Sequence, residues 1–494
     1  MTALSPSFIA DNPWWKSRSQ IDIDPDLQRL ANASVRFEHT IPFQLDADAV
    51  YTLRGPRQVG KSTLLKRIIR SLLTEQGPAP RQILYTHVEG AGIGTVARLR
   101  SALTGYLAWA RSAVGADARL YMFLDEITGV KDWGTVVRTL YREGLLANVT
   151  VIATGSHALD LARGGETAPG RRGERIVTHP DWIMMPLGFR DYVTAHNEQL
   201  GAALHSIDVT APAHAYEAAQ ELQLHGNALR ALFDRFLLTG GYPHAMSEEH
   251  TVGRITPGVY GIYRESIIGQ MRRAGHSAGP FREVVSWAAD HRLGQEFSWN
   301  DISGATDIGS KDTARRYVED AERLFLWHVL YRAQSATDTA RALRSPKKLY
   351  PADPFAWHVL ASWAAGESDP WAGAMTRLGN ATLRGSFIEA VAADHFLRGF
   401  GPFALYHRRD KGQGAREEID LLLRRGTVQA RLEIKYRATI KTGDRKALAQ
   451  YGGGILASVD QLEWYPKDQV AAIPLCFLLA GYADQITLYP AHLP

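Results

Sequence analysis

The chain has 494 residues, 45% of them hydrophobic and 22% charged, enough apolar side chain for about two to four separately cored domains. Its one cysteine, Cys476, excludes an intrachain disulfide and any need for an oxidising compartment. No basic start followed by an apolar stretch marks a signal peptide, and the longest apolar run near the C-terminus, VAAIPLCFLLAGY, is too short to span a bilayer and reads as a buried strand. The expectation is a cytoplasmic protein with no membrane partner.

Net charge is +4, and the excess is concentrated. Residues 401–451 hold 12 Lys/Arg against 6 Asp/Glu, a net of +6, which leaves −2 for the remainder. Clustered Lys and Arg neutralise phosphates and release counterions, so a polyanion such as DNA is the expected partner of that stretch. A basic surface without a partner is the alternative.

The first part of the chain alternates β-rich runs (AVYTLRG, QILYTHVEG, RLYMFLDE, NVTVIATGS) with helical patterns such as STLLKRIIRSLLTEQ and TVARLRSALTGYLAWARSAV. That alternation predicts a parallel sheet with crossover helices. Between the first strand and first helix lies GPRQVGKS: Gly55, Pro56, Arg57, Gln58, Val59, Gly60, Lys61 and Ser62, followed by Thr63. It matches the phosphate-binding pattern G-x-x-x-x-G-K-[ST]. The glycines let backbone N–H groups curl around phosphates, the helix N-terminus adds positive potential, Lys61 reaches the β- and γ-phosphates, and the Ser62 hydroxyl binds Mg²⁺. LYMFLDE ends a buried strand in Asp125, placed to hold Mg²⁺, and Glu126, suited to polarise water. The VIATGSH strand end offers Thr154, Ser156 and His157 as candidates for sensing the γ-phosphate. NPWW, Asn12 to Trp15, anchors an N-terminal arm by burying two Trp rings, or stacks on the base.

PLGFRDY, from Pro186 to Tyr192, closes this region in the sequence reading. From about Thr210 to Arg332 the chain becomes mainly helical, with a break at Gly240-Gly241-Tyr242-Pro243. The segment 300–332 reads as a short helix, a turn through Gly309, a longer helix capped at Ser310 and a strand, which fits a winged helix. Lys311, Thr313, Arg315 and Arg316 would then face DNA, or Val318, Ala321 and Leu324 would pack the helix down as a structural lid. From about Lys347 the order becomes helix (GSFIEAVAADHFLRGF), three strands (FALYHRRD, EEIDLLLRR, VQARLEIKYR), helix (DRKALAQY) and strand (IPLCFLLAGY).

With LRGPRQVGKST, the LDE and TGS strand ends, PLGFRDY and GGYP on the page, the chain resembles the AAA+-type P-loop ATPases, and among them a bacterial and archaeal group with a C-terminal restriction-endonuclease-like (PD-(D/E)xK) domain. The resemblance covers nearly the whole chain. It implies an α/β fold class: an ATPase core (1–205), a helical lid with a winged helix (206–340) and a nuclease-like tail (341–494), with ATP and Mg²⁺ as cofactors. In GRRGER, Arg171 and Arg172 are candidates to reach a neighbouring subunit's nucleotide, which implies a homo-oligomer; a flexible basic loop is the alternative. In the nuclease-like fold an aspartate and a Glu-x-Lys motif share a face of adjacent strands, because residues i and i+2 point the same way. Asp420, Glu433 and Lys435 match it, and Glu389 resembles the glutamate of the preceding helix. The implied metal ligands are Glu389, Asp420 and Glu433, with Lys435 acting on the attacking water. Gln450 and Tyr451 stand where the next helix would add polar support. The expected function is ATP-dependent DNA processing with metal-dependent cleavage. The alternatives are an ATP-driven motor or switch that binds DNA without cutting, and, for EIDLLLRRGTVQARLEIKYR alone, a solvated hairpin with charges on one face.

Overall fold

Alternation of β-rich and amphipathic runs yields the expected parallel sheet. The computed structural model describes residues 6–156, 179–290, 293–335, 340–401, 404–411, 415–437, 439–483 and 487–491. The chain divides into two units, one running to Met185 and including the strand Leu488–Pro490, the other spanning Pro186–Thr487.

In the first unit β1 (Val50–Arg54), β2 (Ile83–His87), β3 (Leu120–Asp125), β4 (Val149–Gly155) and β5 (Asp181–Met184) run parallel in the order β5-β1-β4-β3-β2. The first four are the strands read from the sequence; β5 is too short to announce itself. Beyond β5 the strand Leu488–Pro490 pairs antiparallel, with Leu488 opposite Met184. Central β4 is buried along its whole length, as a parallel strand covered on both faces must be. Helices Lys61–Leu72 and Val96–Val114 follow β1 and β2, the latter capped by the Thr95 hydroxyl accepting the Arg98 N–H. Leu84, Leu103, Tyr106, Met122, Trp133 and Val151 are among the buried side chains of this core.

The N-terminal arm covers the free edge of the sheet. Asn12 Nδ2 donates to Phe8 O and Tyr85 O, both at 2.7 Å, and Asn12 Oδ1 accepts the Tyr85 N–H at 2.6 Å. One side chain thus satisfies both backbone groups that β2 would leave open at this position. Trp14 is buried, and the Trp15 ring packs on Tyr106 and Trp109.

PLGFRDY opens the second unit instead of closing the first, because Phe189 and Tyr192 of helix Phe189–His196 pack on Phe233 and Phe236. The predicted break falls where expected: helix Gly226–Thr239 ends at Gly240 (φ 52°) and the next begins at Pro243. A Cβ on Gly240 would lie 2.3 Å from Asp353 Oδ1, so only glycine fits. Helix Trp299–Ala305, the Ser310-capped helix Lys311–Arg323 and β6 (Trp327–Tyr331) also follow the reading, and β6 forms a hairpin with β7 (Lys347–Pro351). Val318, Ala321 and Leu324 are buried while Lys311, Arg315 and Arg316 are exposed.

The C-terminal sheet contains β8 (Ala404–Lys411), β9 (Ala415–Arg425), β10 (Val428–Ile434), β11 (Gly454–Ser458), β12 (Glu463–Tyr465) and β13 (Val470–Pro474) in the order β12-β13-β11-β10-β9-β8. β8, β9 and β10 form an antiparallel meander; β10, β11 and β13 are parallel. The run VAAIPLCFLLAGY is not one strand. It is β13 and then the buried helix Leu475–Gly481. A run that is apolar on every side has no period to tell strand from helix, so the sequence reading fails there. Among the described residues no helix is long and apolar enough to cross a membrane.

Candidate functional site

β1 places the phosphate loop at the carboxyl end of the first sheet. Gly55 and Pro56 are buried, Arg57 is half-buried, Gln58 is exposed and Val59 buried. The loop curls through two left-handed residues, Gln58 (φ 64°) and Gly60 (φ 102°). A Cβ on Gly55 would sit 1.9 Å from Met184 O, so β5 can approach only because that residue is glycine. Lys61 is buried at the helix start, its Nζ donating to Gly55 O (2.9 Å) and Pro56 O (2.7 Å). Burial pushes its pKa down, and Glu126 and Asp125 oppose that shift. Ser62 and Thr63, on the first turn of the same helix, are half-buried.

β4 lies between β1 and β3, which brings the acids of the β3 end beside the loop. Asp125 is fully buried; Thr154 Oγ1 donates to its Oδ1, and Tyr85 Oη donates to its Oδ2 at 2.8 Å. Glu126 adopts a left-handed backbone (φ 49°), which turns it out of the strand, and its Oε2 accepts from Ser156 N (3.2 Å) and Ser156 Oγ (3.1 Å). Arg57 Nε donates to Ser156 Oγ at 3.3 Å. Thr154 therefore holds the Asp125 carboxylate while its Oγ1 accepts the Glu126 N–H at 3.1 Å, and Ser156 holds the Glu126 carboxylate, a distinction the sequence left open. His157, Arg171 and Arg172 lie outside the described residues. Buried Lys61, left-handed loop residues and an oxygen-only acid pair fit a nucleotide phosphate with Mg²⁺, for which Ser62 and Asp125 would be the oxygen donors.

In the second unit Asp420 and Glu433 of the β9–β10 hairpin face inward, which removes the solvated-hairpin alternative. Asp420 and Glu433 are 3% and 4% exposed. The register that sets Leu432 opposite Leu421 brings the two acids across from one another. Asp420 Oδ2 accepts the Ile434 N–H (2.8 Å), and Glu433 Oε2 accepts the Asp420 N–H (3.3 Å). Lys435 Nζ pairs with Glu433 Oε1 and lies 4.0 Å from Asp420. Burial, then the neighbouring Asp420, pushes the Glu433 carboxyl up to about 8. Glu389, on helix Ala381–Phe400, accepts the Tyr350 hydroxyl at 2.6 Å. So Glu389, Asp420, Glu433 and Lys435 come together. Gln450 is exposed at the end of helix Thr442–Gln450, and Tyr451 packs edge-on against His407.

A residue the sequence reading missed stands among these acids. Lys348, 2% exposed on β7, directs its Nζ at Glu418 (2.8 Å), Glu389 (3.3 Å) and Asp420 (3.5 Å). Burial presses its pKa down, but Glu389, Tyr350, Asp420 and Glu418 outweigh it and hold the ammonium well above the usual lysine range. A signal was present: Lys348 and Tyr350 share a face by the i, i+2 rule, as do Glu418 and Asp420. A divalent ion needs carboxylate oxygens converging on one point at about 2.0–2.6 Å. Here that point is an ammonium, and among the described residues no group of three His, Cys, Asp or Glu side chains is disposed to hold a metal. The cluster as built does not fit a metal.

No curated protein matches the chain. Residues 230–367 match a domain of unknown function (DUF8612). Among solved structures, a Walker-type ATPase of Pyrococcus abyssi is similar at 14% identity and a TM-score of 0.38, over 63% of this chain and 90% of its own. A variant of RuvB from Thermotoga maritima is similar at 15% identity and a TM-score of 0.23, over 57% of this chain and 81% of its own. Likenesses this distant carry over neither fold nor function. Residues 47–193 match the AAA domain family. That match spans both the loop from Gly55 to Ser62 and the acids Asp125 and Glu126, and the chain carries a P-loop AAA-type ATPase domain.

Proposed function

We propose that this is an ATP-hydrolysing, DNA-processing protein in which ATP state sets how tightly the second unit holds DNA, and whose C-terminal restriction-endonuclease-like domain grips DNA without cutting it. The three-part organisation belongs to this proposal: an ATPase core over 1–205, a helical lid with a winged helix over 206–340 and the nuclease-like domain over 341–494. So do a homo-oligomer, with Arg171 and Arg172 serving a neighbouring copy, and a cytoplasmic location.

The observation that carries the ATPase half is the juxtaposition of Lys61, Asp125 and Glu126 around the loop. Loop N–H groups and Lys61 would hold the β- and γ-phosphates, and Glu126, oriented by Ser156, would take the proton of the attacking water. Bound Mg²⁺ supplies charge neutralisation on the phosphates. DNA binding is supported by the net +6 of residues 401–451 and by the exposed Lys311, Arg315 and Arg316. The cutting alternative draws on the meeting of Asp420, Glu433, Lys435 and Glu389; the non-cutting reading is favoured by Lys348 among them.

The test is binding and Mg²⁺/Mn²⁺-dependent cleavage of duplex, single-stranded and four-way-junction DNA, with and without ATP, beside Lys61→Ala and Glu433→Ala. Expected are salt-sensitive binding that ATP shifts, loss of that shift in Lys61→Ala, and no cleavage. Lys61→Ala should weaken nucleotide binding by ~10²-fold, about 3 kcal/mol for a lost charged phosphate contact. Cleavage abolished by Glu433→Ala would establish the cutting alternative, and absence of DNA binding at low salt would end the DNA assignment.

A further inference from the structure

We infer that Lys348 is the resident counter-ion of the C-terminal carboxylate cluster, its ammonium taking the place of the divalent metal that a restriction-endonuclease-like domain would hold there. The inference deepens the non-cutting reading and rests on it for the kind of domain in question.

The argument is positional. Glu389 comes from a helix, Glu418 and Asp420 from β9, and all three direct an oxygen at one point, at 3.3, 2.8 and 3.5 Å from Lys348 Nζ. The remaining oxygen of Asp420 and both oxygens of Glu433 are committed elsewhere. Asp420 Oδ2 takes the Ile434 N–H, Glu433 Oε2 takes the Asp420 N–H, and Glu433 Oε1 pairs with Lys435. Tyr350, two residues from Lys348 on the same strand face, fixes Glu389 through its hydroxyl.

Lys348 has little freedom to leave. It is 2% exposed, and its Nζ lies 5.3 Å from the centre of the Tyr406 ring. That ring is pinned by its own hydroxyl, whose one proton faces two acceptors, Glu296 Oε1 (2.8 Å) and Pro346 O (2.7 Å). A dication and an ammonium cannot share the convergence point, so metal entry requires Lys348 to withdraw from three carboxylates and from the face of the Tyr406 ring. Removing the ammonium by substitution leaves Glu389, Glu418, Asp420 and Glu433 against Lys435 alone, a charge deficit that a divalent ion answers.

The experiment is Mn²⁺ uptake by the full-length, nucleotide-free chain, followed by loss of the free-ion electron paramagnetic resonance signal. A Lys61→Ala background keeps the phosphate loop from contributing. Expected is no uptake with Lys348 present, one Mn²⁺ per chain in Lys348→Met, and loss of that ion when Asp420→Asn is added. Uptake by the Lys348 protein that Asp420→Asn removes overturns the inference, as does a folded Lys348→Met chain that takes up none. Should Lys348→Met not fold, the Lys348 protein with and without Asp420→Asn decides: no uptake supports the inference and Asp420-dependent uptake overturns it. DNA binding measured in the same preparations reports separately on the proposed function, since its loss would sink that proposal and leave the metal result standing.

Discussion

At the scale of single residues, the ATPase site depends on a tyrosine that no phosphate-loop pattern names. The Tyr85 hydroxyl holds Asp125 Oδ2 while Thr154 holds Oδ1, so the buried carboxylate has both oxygens fixed before nucleotide arrives. Tyr85→Phe removes one bond to a charged group, about 1.5 kcal/mol. We expect a roughly tenfold fall in kcat at nearly unchanged nucleotide affinity; a variant that loses affinity and keeps kcat would assign Tyr85 to binding instead. Two buried histidines of the second unit set a pH dependence. Burial, with Arg377 adding to it, lowers His358 to about 3, and burial with Arg398 lowers His395 to about 4 against the pull of Asp394. Both stay neutral in the fold while the unfolded chain takes up a proton near pH 6.5, so the unfolded state binds more protons between about pH 4 and 6.5. Stability is therefore complete above that window and falls as pH drops through it, by up to ~1.4 kcal/mol per pH unit for each histidine. His395→Gln keeps an acceptor for the Phe189 N–H that His395 Nε2 accepts at 2.8 Å. It should be less stable at pH 7 but show a shallower slope in urea denaturation between pH 6.5 and 4.5.

At the scale of elements, the N-terminal arm closes a sheet edge through one side chain. Asn12 makes three hydrogen bonds, two of them to the Tyr85 backbone on β2. Asn12→Ala should cost the first unit about 2 kcal/mol, read by chemical denaturation, and should make the arm more susceptible to limited proteolysis. A variant as stable and as protease-resistant as the parent would show that Trp14 and Trp15 alone suffice. The elements most legible in the sequence were those with a period or a punctuation mark. β1 to β4 announce themselves as short apolar runs between helical patterns, Gly240-Gly241 as a break, and Ser310 as a cap. The N-terminal anchor was legible from its Trp pair, but the hydrogen bonds of Asn12 to β2 were not, since nothing local says which backbone an amide will meet. β5 was too short to see, and Leu475–Gly481 was lost inside an unbroken apolar run. In the candidate sites, residues that belong to a spaced motif were found: Lys61, Asp125, Asp420 and the Glu433–Lys435 pair. Tyr85 and Lys348 were not, because each reaches its acid from a strand distant in sequence, and only the folded register brings them together.

At the scale of the whole molecule, the basic excess of residues 401–451 coexists with a buried acidic cluster in the same segment. Asp420 and Glu433 are turned inward, and Lys435 is paired to Glu433, so a polyanion would meet the other charges of the segment. DNA affinity should fall steeply with salt, with each phosphate neutralised by the protein adding about −0.9 to the slope of log K against log salt concentration. Filter binding or anisotropy across a salt series measures it, and a flat dependence would argue that the basic surface serves something other than a polyanion.

The pairing of Leu488–Pro490 with β5 carries a consequence for how the protein is made. A ribosome delivers β1 to β5 early and the last strand of the same sheet only after all of Pro186–Thr487 has been synthesised. Until then the β5 edge is an open template for stray pairing, during the interval when a nascent chain is most exposed to aggregation. A premature stop codon or a nick just before residue 488 would leave the phosphate loop and the carboxylate cluster covalently intact and still yield a chain with that edge uncovered, a substrate for chaperones and proteases.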